Sequence, residues 1–182
     1  MTGRWQRRLV DACRLGLGSL VVGVLLLLLL SAIVARTLGP LPLDEAGAVS
    51  TVVEDRQGRL LRAYTTADGI WRLPADEYSV DPHYLGMLLA FEDSRFYRHR
   101  GVDPLAVLRA GYQALRHGRL VSGASTLTMQ VARLIDRRHE RTGFGKFRQM
   151  MRAMQLEAEL SKAEILQLYL QYAPFGGNLE GV

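Results

Sequence analysis

Cysteine is almost missing from these 182 residues. Cys13 stands alone beside an apolar run, so no disulfide can form within the chain, and it reads as a bystander. Paired-cysteine spacings and His-Glu-x-x-His runs are absent too, and His139 has no partner at metal-ligand spacing, which removes the common sequence signatures of a zinc site. There is no internal repeat and no low-complexity tract apart from one leucine run. Acidic residues are outnumbered 18 to 23 by Lys and Arg, leaving a net charge of +5 and a pI near 9.7. That balance suits polyanions in general: nucleic acid, anionic lipid headgroups or pyrophosphates.

Hydrophobic length narrows the choice. Residues 15–35 (LGLGSLVVGVLLLLLLSAIVA) carry no charge and are long enough to cross a hydrocarbon core as a helix. Arg4, Arg7, Arg8 and Arg14 precede the run, while Asp44 and Glu45 are the first charges after Arg36, so the positive-inside bias predicts a cytoplasmic N-terminus. A cleaved signal peptide is the competing reading; the run exceeds the usual h-region and Ile33-Val34-Ala35 is a poor cleavage site. With the remainder outside the cytoplasm, nucleic acid drops out as a partner. The predicted organisation is a basic tail over 1–14, a single membrane span over 15–35, a linker with a β-hairpin over 36–80, and one mainly α-helical domain over 81–182.

Local signals fill in that outline. Gly39-Pro40-Leu41-Pro42 breaks the anchor helix. Residues 49–64 alternate loosely about Asp55-Arg56-Gln57-Gly58 and predict a hairpin, which as two strands must pack on something else. Asp81-Pro82 and Asp103-Pro104 each predict a helix start, with Asp as N-cap and Pro in the first turn. The second of these helices should turn Leu105, Leu108, Tyr112 and Leu115 to the core and close at His117-Gly118, with His117 as a C-terminal charge partner. Ser125 or Thr126 can cap a helix whose face is Leu127, Val131, Leu134 and Ile135. Residues 136–145 (DRRHERTGFG) read as a solvated loop; beyond them Phe147, Met150, Met151 and Met154 form an apolar helix face, either core or in contact with a bilayer surface. Ser161 to Glu164 has the form of a capping box before Ile165, Leu168, Tyr169 and Tyr172.

Two polar clusters interrupt the apolar pattern. Glu92-Asp93-Ser94-Arg95-Phe96-Tyr97-Arg98-His99-Arg100-Gly101 begins where Leu85, Leu88, Leu89 and Glu92 share one helical face. A carboxylate continuing an apolar stripe is partly desolvated and poised to take a proton. The bland alternative is a helix-end Glu92 paired with Arg95 or Arg98. Downstream lie Gly123-Ala124-Ser125-Thr126-Leu127-Thr128-Met129-Gln130 and Arg133. Backbone N–H groups at a helix start, with the Ser125 and Thr126 hydroxyls and Gln130 one turn in, make a ready anion site; on its own, without the first cluster, this stretch reads as an ordinary capped helix.

Together the clusters resemble the E-D-x-x-F-x-x-H-x-G and G-x-S-T-x-T-x-Q motifs of the peptidoglycan glycosyltransferases, the family 51 domain of class A penicillin-binding proteins. Residues 146–157 (KFRQMMRAMQLE) and 161–182 (SKAEILQLYLQYAPFGGNLEGV) extend the resemblance and look closest to the 1C-type branch. The resemblance implies a lysozyme-like helical domain that polymerises lipid II into β-1,4-linked glycan with inversion and release of undecaprenyl pyrophosphate. It implies Glu92 as general base for the acceptor 4-hydroxyl and Asp93 as the neighbour that orients the site. It places Phe96, packing beneath Glu92, and His99 among the substrate-binding residues. Ser125, Thr126, Gln130, Arg133 and Lys146 are implied to receive the pyrophosphate. It implies no tightly bound cofactor, leaves room for a divalent cation (Mg2+ or Mn2+), and makes lipid II, the growing strand, membrane lipids and other cell-wall synthases the partners. The implied setting is the bacterial inner membrane, with the catalytic domain periplasmic.

Three departures from the motifs stand out. Arg133 occupies a position where the family usually has lysine, a change in geometry rather than charge. Gln149 stands where the R-K-x-x-E motif has its glutamate, so a second carboxylate is missing there, while Glu157 on the same helix reads as structural. Met129 replaces a common glutamine and again fits the 1C-type branch. The sequence stops at Gly181-Val182 inside what looks like the last family motif, and it holds no transpeptidase Ser-x-x-Lys element, so the domain is expected to be C-terminally incomplete. Those features also motivate a catalytically silent, membrane-anchored protein that binds precursor or partner synthases. A lysozyme-like hydrolase is a third reading, since a carboxylate in a helical sugar groove suits glycoside cleavage.

Overall fold

A computed structural model describes residues 3–43, 49–73, 80–118, 124–136 and 142–181, with side chains from residue 16 onward. Gly123, residues 137–141 of the expected 136–145 loop, His139 among them, the side chains of the basic tail including Cys13, and Val182 lie outside the described residues. The chain divides into two units, residues 1–39 and 40–182. The first unit is one helix, α1, Gly3–Leu38. Its stretch Gly16–Leu38 is long and apolar enough to cross a membrane, with a mean hydropathy of 2.8. Gly39, at φ 68°, ends it in a left-handed conformation that a residue with a Cβ rarely adopts.

The second unit opens with the expected hairpin, β1 (Val52–Glu54) antiparallel to β2 (Leu60–Ala63). Asp55 fixes its turn: one carboxylate oxygen accepts from the Gln57 and Arg59 N–H groups, and the other receives the Arg59 guanidinium. These bonds, the Arg59 backbone bond foremost, hold the Asp55 carboxyl below its usual value. The packing partner that such a hairpin needs is a second sheet that the sequence did not disclose. Here β3 (Trp71–Arg72) runs parallel to the terminal β5 (Leu179–Glu180), which pairs antiparallel with β4 (Pro174–Gly176). The Ser50 N–H donates to the Arg72 carbonyl and the Arg72 N–H to the Ser50 hydroxyl, joining the hairpin to β3. The Arg72 side chain, almost fully buried, is neutralised by Glu180 at 2.5 Å and lies over the Tyr172 ring.

Among the described residues five helices build the rest: α2 (Pro82–Glu92), α3 (Pro104–His117), α4 (Leu127–Asp136), α5 (Gly143–Glu159) and α6 (Lys162–Tyr172). Their starts follow local chemistry. Asp81 accepts from the His83 N–H at 2.7 Å, Asp103 from the Leu105 N–H at 3.0 Å, and Ser161 and Glu164 complete a capping box. Gly118, in the left-handed region, ends α3 as expected. Thr126, rather than Ser125, caps α4, accepting from the Met129 N–H. On the other side, Thr142 caps α5, so the helix begins at Gly143 inside the stretch read as loop.

The core gathers Leu127, Met129 and Val131 of α4, Ala153 and Leu156 of α5, Ile165, Leu166 and Leu170 of α6, and Phe96 from a short 3-10 turn. One expected core face is corrected, and a second is met in part, with Met150 packed against the core. In α3 the buried residues are Ala106 and Ala110, whereas Leu105, Leu108 and Tyr112 are exposed and Leu115 is 89% exposed. The helical period was right and the direction wrong, because small alanines give the close approach and the large stripe faces outward. In α5 it is Ala153 and Leu156 that pack inward; Phe147, Met150 and Met151 are half-buried and Met154 is exposed.

One glycine ties these helices to the loop after α2. Gly101 has φ 83°, and a Cβ there would lie 2.6 Å from the Ala153 carbonyl oxygen and 2.7 Å from its carbon. Its own carbonyl accepts from the Thr126 hydroxyl. Gly101→Ala is therefore expected to lower stability by about 3 kcal/mol or more, combining left-handed strain with backbone overlap, and urea unfolding in detergent would show it as a lowered midpoint.

Candidate active site

The site forms where α2 ends and α4 and α5 begin. Glu92 is the last residue of α2, half-buried, and its Oε2 accepts from the Gln130 amide at 2.7 Å. The expected alternative pairing does not occur: Arg95 faces Asp103 at 3.6 Å. An amide donor beside a carboxylate leaves the second carboxylate oxygen available to a hydroxyl proton.

Asp93 turns the other way. Its side chain is buried, receives the Leu127 N–H at 2.9 Å and lies 3.0 Å from His99 Nε2, whose ring is buried as well. Asp93 thereby fastens the first turn of α4 to the end of α2 and fixes how Gln130 meets Glu92. Phe96 and His99, expected among the substrate contacts, lie in the core; Phe96 is 1% exposed and carries Lys162 Nζ 4.4 Å above its ring. Their burial makes them the floor of the site. Thr126 is equally buried, spent on the α4 cap and on Gly101. Glu157 is structural as expected, accepting from Thr128 at 2.7 Å and from Lys162 at 2.6 Å.

Ser125, released from capping, accepts from Lys146 Nζ, which also donates to Gln149 Oε1 at 3.1 Å. Burial lowers the Lys146 pKa from its ordinary 10.5, and the neighbouring Arg133 guanidinium pushes it the same way. Arg133 is exposed one turn beyond Gln130 and borders a cavity of about 480 Å³ that Ile70, Leu134, Tyr172 and Pro174 also line. The Tyr169 phenol, noted in the sequence only for its helical spacing, belongs electrostatically to the site. Burial raises its pKa first, the Glu92 and Tyr84 charges add to that, and Arg133 opposes them. Tyr169 had no sequence signal beyond helical spacing, because its nearness to Glu92 and Tyr84 depends on how α2 and α6 pack.

Chemically, the arrangement offers a carboxylate base on one side and two cations with neutral donors on the other. That is the equipment for deprotonating a hydroxyl while a phosphate-type group leaves. A Mg2+ or Mn2+ ion does not fit the second half: Ser125 and Gln149 provide neutral oxygens already engaged by an ammonium group, and such ions favour carboxylate oxygens.

Known proteins are similar to this chain in sequence. The sequence model described as Transglycosylase matches residues 57–182. The chain is similar to "Penicillin-binding protein 1C" of Escherichia coli (strain K12), 52% identical over 156 residues, which is 86% of this chain and 20% of that protein. It is similar as well to "Penicillin-binding protein 1A" of the same organism, 40% identical over 111 residues, 61% of this chain and 13% of the relative. Against "Penicillin-binding protein 1F" of Bacillus subtilis (strain 168) it is 32% identical over 135 residues, 74% of this chain and 18% of that one. The chain thus spans a fifth or less of the length of these relatives. The family match runs through α2 to α6, and so through Glu92, Gln130 and Lys146 alike: this chain belongs to the transglycosylase family.

Proposed function

We propose that this chain is a membrane-anchored peptidoglycan glycosyltransferase that polymerises lipid II, with α1 crossing the bacterial inner membrane N-terminus inward. The observation that carries the reading is the Glu92–Gln130 pair set beside the Lys146–Ser125–Gln149 cluster and Arg133.

In the reaction, Glu92 takes the proton of the acceptor sugar's 4-hydroxyl as that oxygen attacks the anomeric carbon of the donor. The new C1–O4 bond forms as the bond from C1 to the pyrophosphate oxygen breaks, which inverts the α-linked donor to a β-1,4 product. The bonding electrons leave with undecaprenyl pyrophosphate, whose negative charge meets Lys146, Arg133 and the Ser125 hydroxyl. Gln130 holds Glu92 in place, and the proton on Glu92 passes to solvent before the next cycle. The outward stripe of Leu105, Leu108, Tyr112 and Leu115 suits the acyl region from which a polyprenyl substrate comes.

The test is incubation of the detergent-purified chain with labelled lipid-linked disaccharide-peptide. Glycan ladders support the reading. Substrate bound without ladders favours a silent binding protein, and sugars released from intact wall favour a hydrolase.

The lowered Lys146 pKa carries a pH consequence. A depressed value means that the ammonium is lost at lower pH, so kcat/KM should fall on an alkaline limb below pH 10.5. Lys146→Arg keeps the charge at all accessible pH and should move that limb upward, even if its altered geometry lowers the plateau. An unmoved limb would assign the titration elsewhere.

A further inference from the structure

Resting on the reading that this site receives a pyrophosphate, we infer that Gln149 makes the leaving-group subsite of this chain independent of a divalent cation. The argument starts from the donor set. Lys146 Nζ donates to Ser125 Oγ and to Gln149 Oε1, both neutral acceptors, and Arg133 is close enough to press on the same ammonium. The carboxylate of this site is Glu92, and its Oε2 is held by Gln130. Among the described residues no cluster of three His, Cys, Asp or Glu could hold a metal.

Among the described residues, no acid forms an ion pair with the Lys146 ammonium of this subsite. A carboxylate at position 149 would form an ion pair with Lys146 and offset its charge; a pyrophosphate arriving there would then need a metal to offset the added negative charge. The amide keeps Lys146 oriented through one hydrogen bond while leaving its charge to the ligand. Burial of the ammonium, which lowers its pKa, is consistent with a cation awaiting an anionic partner. Gln149 is accordingly a positioning residue: it acts on the leaving group through Lys146.

The probe is inorganic pyrophosphate with the full chain in detergent, measured by equilibrium dialysis in EDTA and again with Mn2+, with bound Mn2+ followed by electron paramagnetic resonance. Wild type should bind pyrophosphate in EDTA, and Mn2+ should neither tighten binding more than about twofold nor give a protein-bound signal. Gln149→Glu should weaken binding in EDTA by at least about tenfold and recover with Mn2+, together with a bound-ion signal. Gln149→Met, which removes the acceptor without adding charge, should lose only about threefold.

Wild-type binding that requires Mn2+, no pyrophosphate binding under either condition, or identical behaviour of wild type and Gln149→Glu would each overturn the inference. Polymerisation assayed on the same wild-type sample separates the two proposals. Pyrophosphate bound in EDTA without glycan ladders would defeat the polymerase reading and leave this one standing.

Discussion

Glu92→Gln is expected to stop glycan polymerisation while leaving the fold and substrate binding nearly intact. The amide matches the carboxylate in shape and can still meet Gln130 after that amide turns over, so the packing at the end of α2 persists. What disappears is the ability to accept a proton from the acceptor hydroxyl. Positioned acid–base catalysis contributes about 10²–10⁴-fold, and the loss should fall on kcat rather than on KM, since the proton moves only in the transition state. Glycan formation under saturating substrate, with circular dichroism on the same sample, checks this. Activity within about tenfold of wild type would assign the base to another group.

Asp93→Ala should fail for a different reason. Asp93 is the adjacent carboxylate in the sequence, yet its side chain is buried and holds two groups at once, the Leu127 N–H and His99 Nε2. Removing it leaves both without their partner in the interior, at about 1–3 kcal/mol each, so a total near 2–6 kcal/mol is expected. That is a large part of the roughly 5–15 kcal/mol available to a domain. Denaturant unfolding should show a midpoint shift that Glu92→Gln lacks, with activity falling in step as the start of α4 loosens. A stable but inactive Asp93→Ala would instead argue for direct participation in the chemistry.

The contrast between Glu92 and Asp93 also marks where sequence reading stops. Helix starts were legible because their chemistry is local: Asp81, Asp103 and Ser161 each bond a backbone N–H within three residues. The hairpin turn was legible for the same reason, through Asp55 and Gly58. The motifs singled out Asp93, Phe96 and His99, but their depth is set by the later arrival of α4 and α6, which spacing along α2 does not encode. The outward face of α3 was missed because a period of 3.6 fixes which residues share a side and says nothing about what that side meets. β3 and β5 escaped notice because two-residue strands carry no alternation, and their Arg72–Glu180 bond spans 108 positions. Tyr169 reaches the neighbourhood of Glu92 and Tyr84 only through the packing of α2 and α6.

The same logic joins fold to chemistry. Asp93, His99 and Gly101 bring the ends of α2, α4 and α5 together, which sets Glu92 and Lys146 on different helices of the candidate site. In the proposed reading the base Glu92 and the cations Arg133 and Lys146 are thereby held on helices, which favours a fixed reacting geometry.

The most direct test of this account is the stoichiometry of the reaction on labelled lipid-linked disaccharide-peptide, with glycosidic bonds and polyprenyl pyrophosphate counted in one sample. The account predicts one pyrophosphate lipid released for each β-1,4 bond formed, with both products lost in Glu92→Gln. Release of new reducing ends without pyrophosphate lipid, or substrate bound with neither product formed, would contradict it.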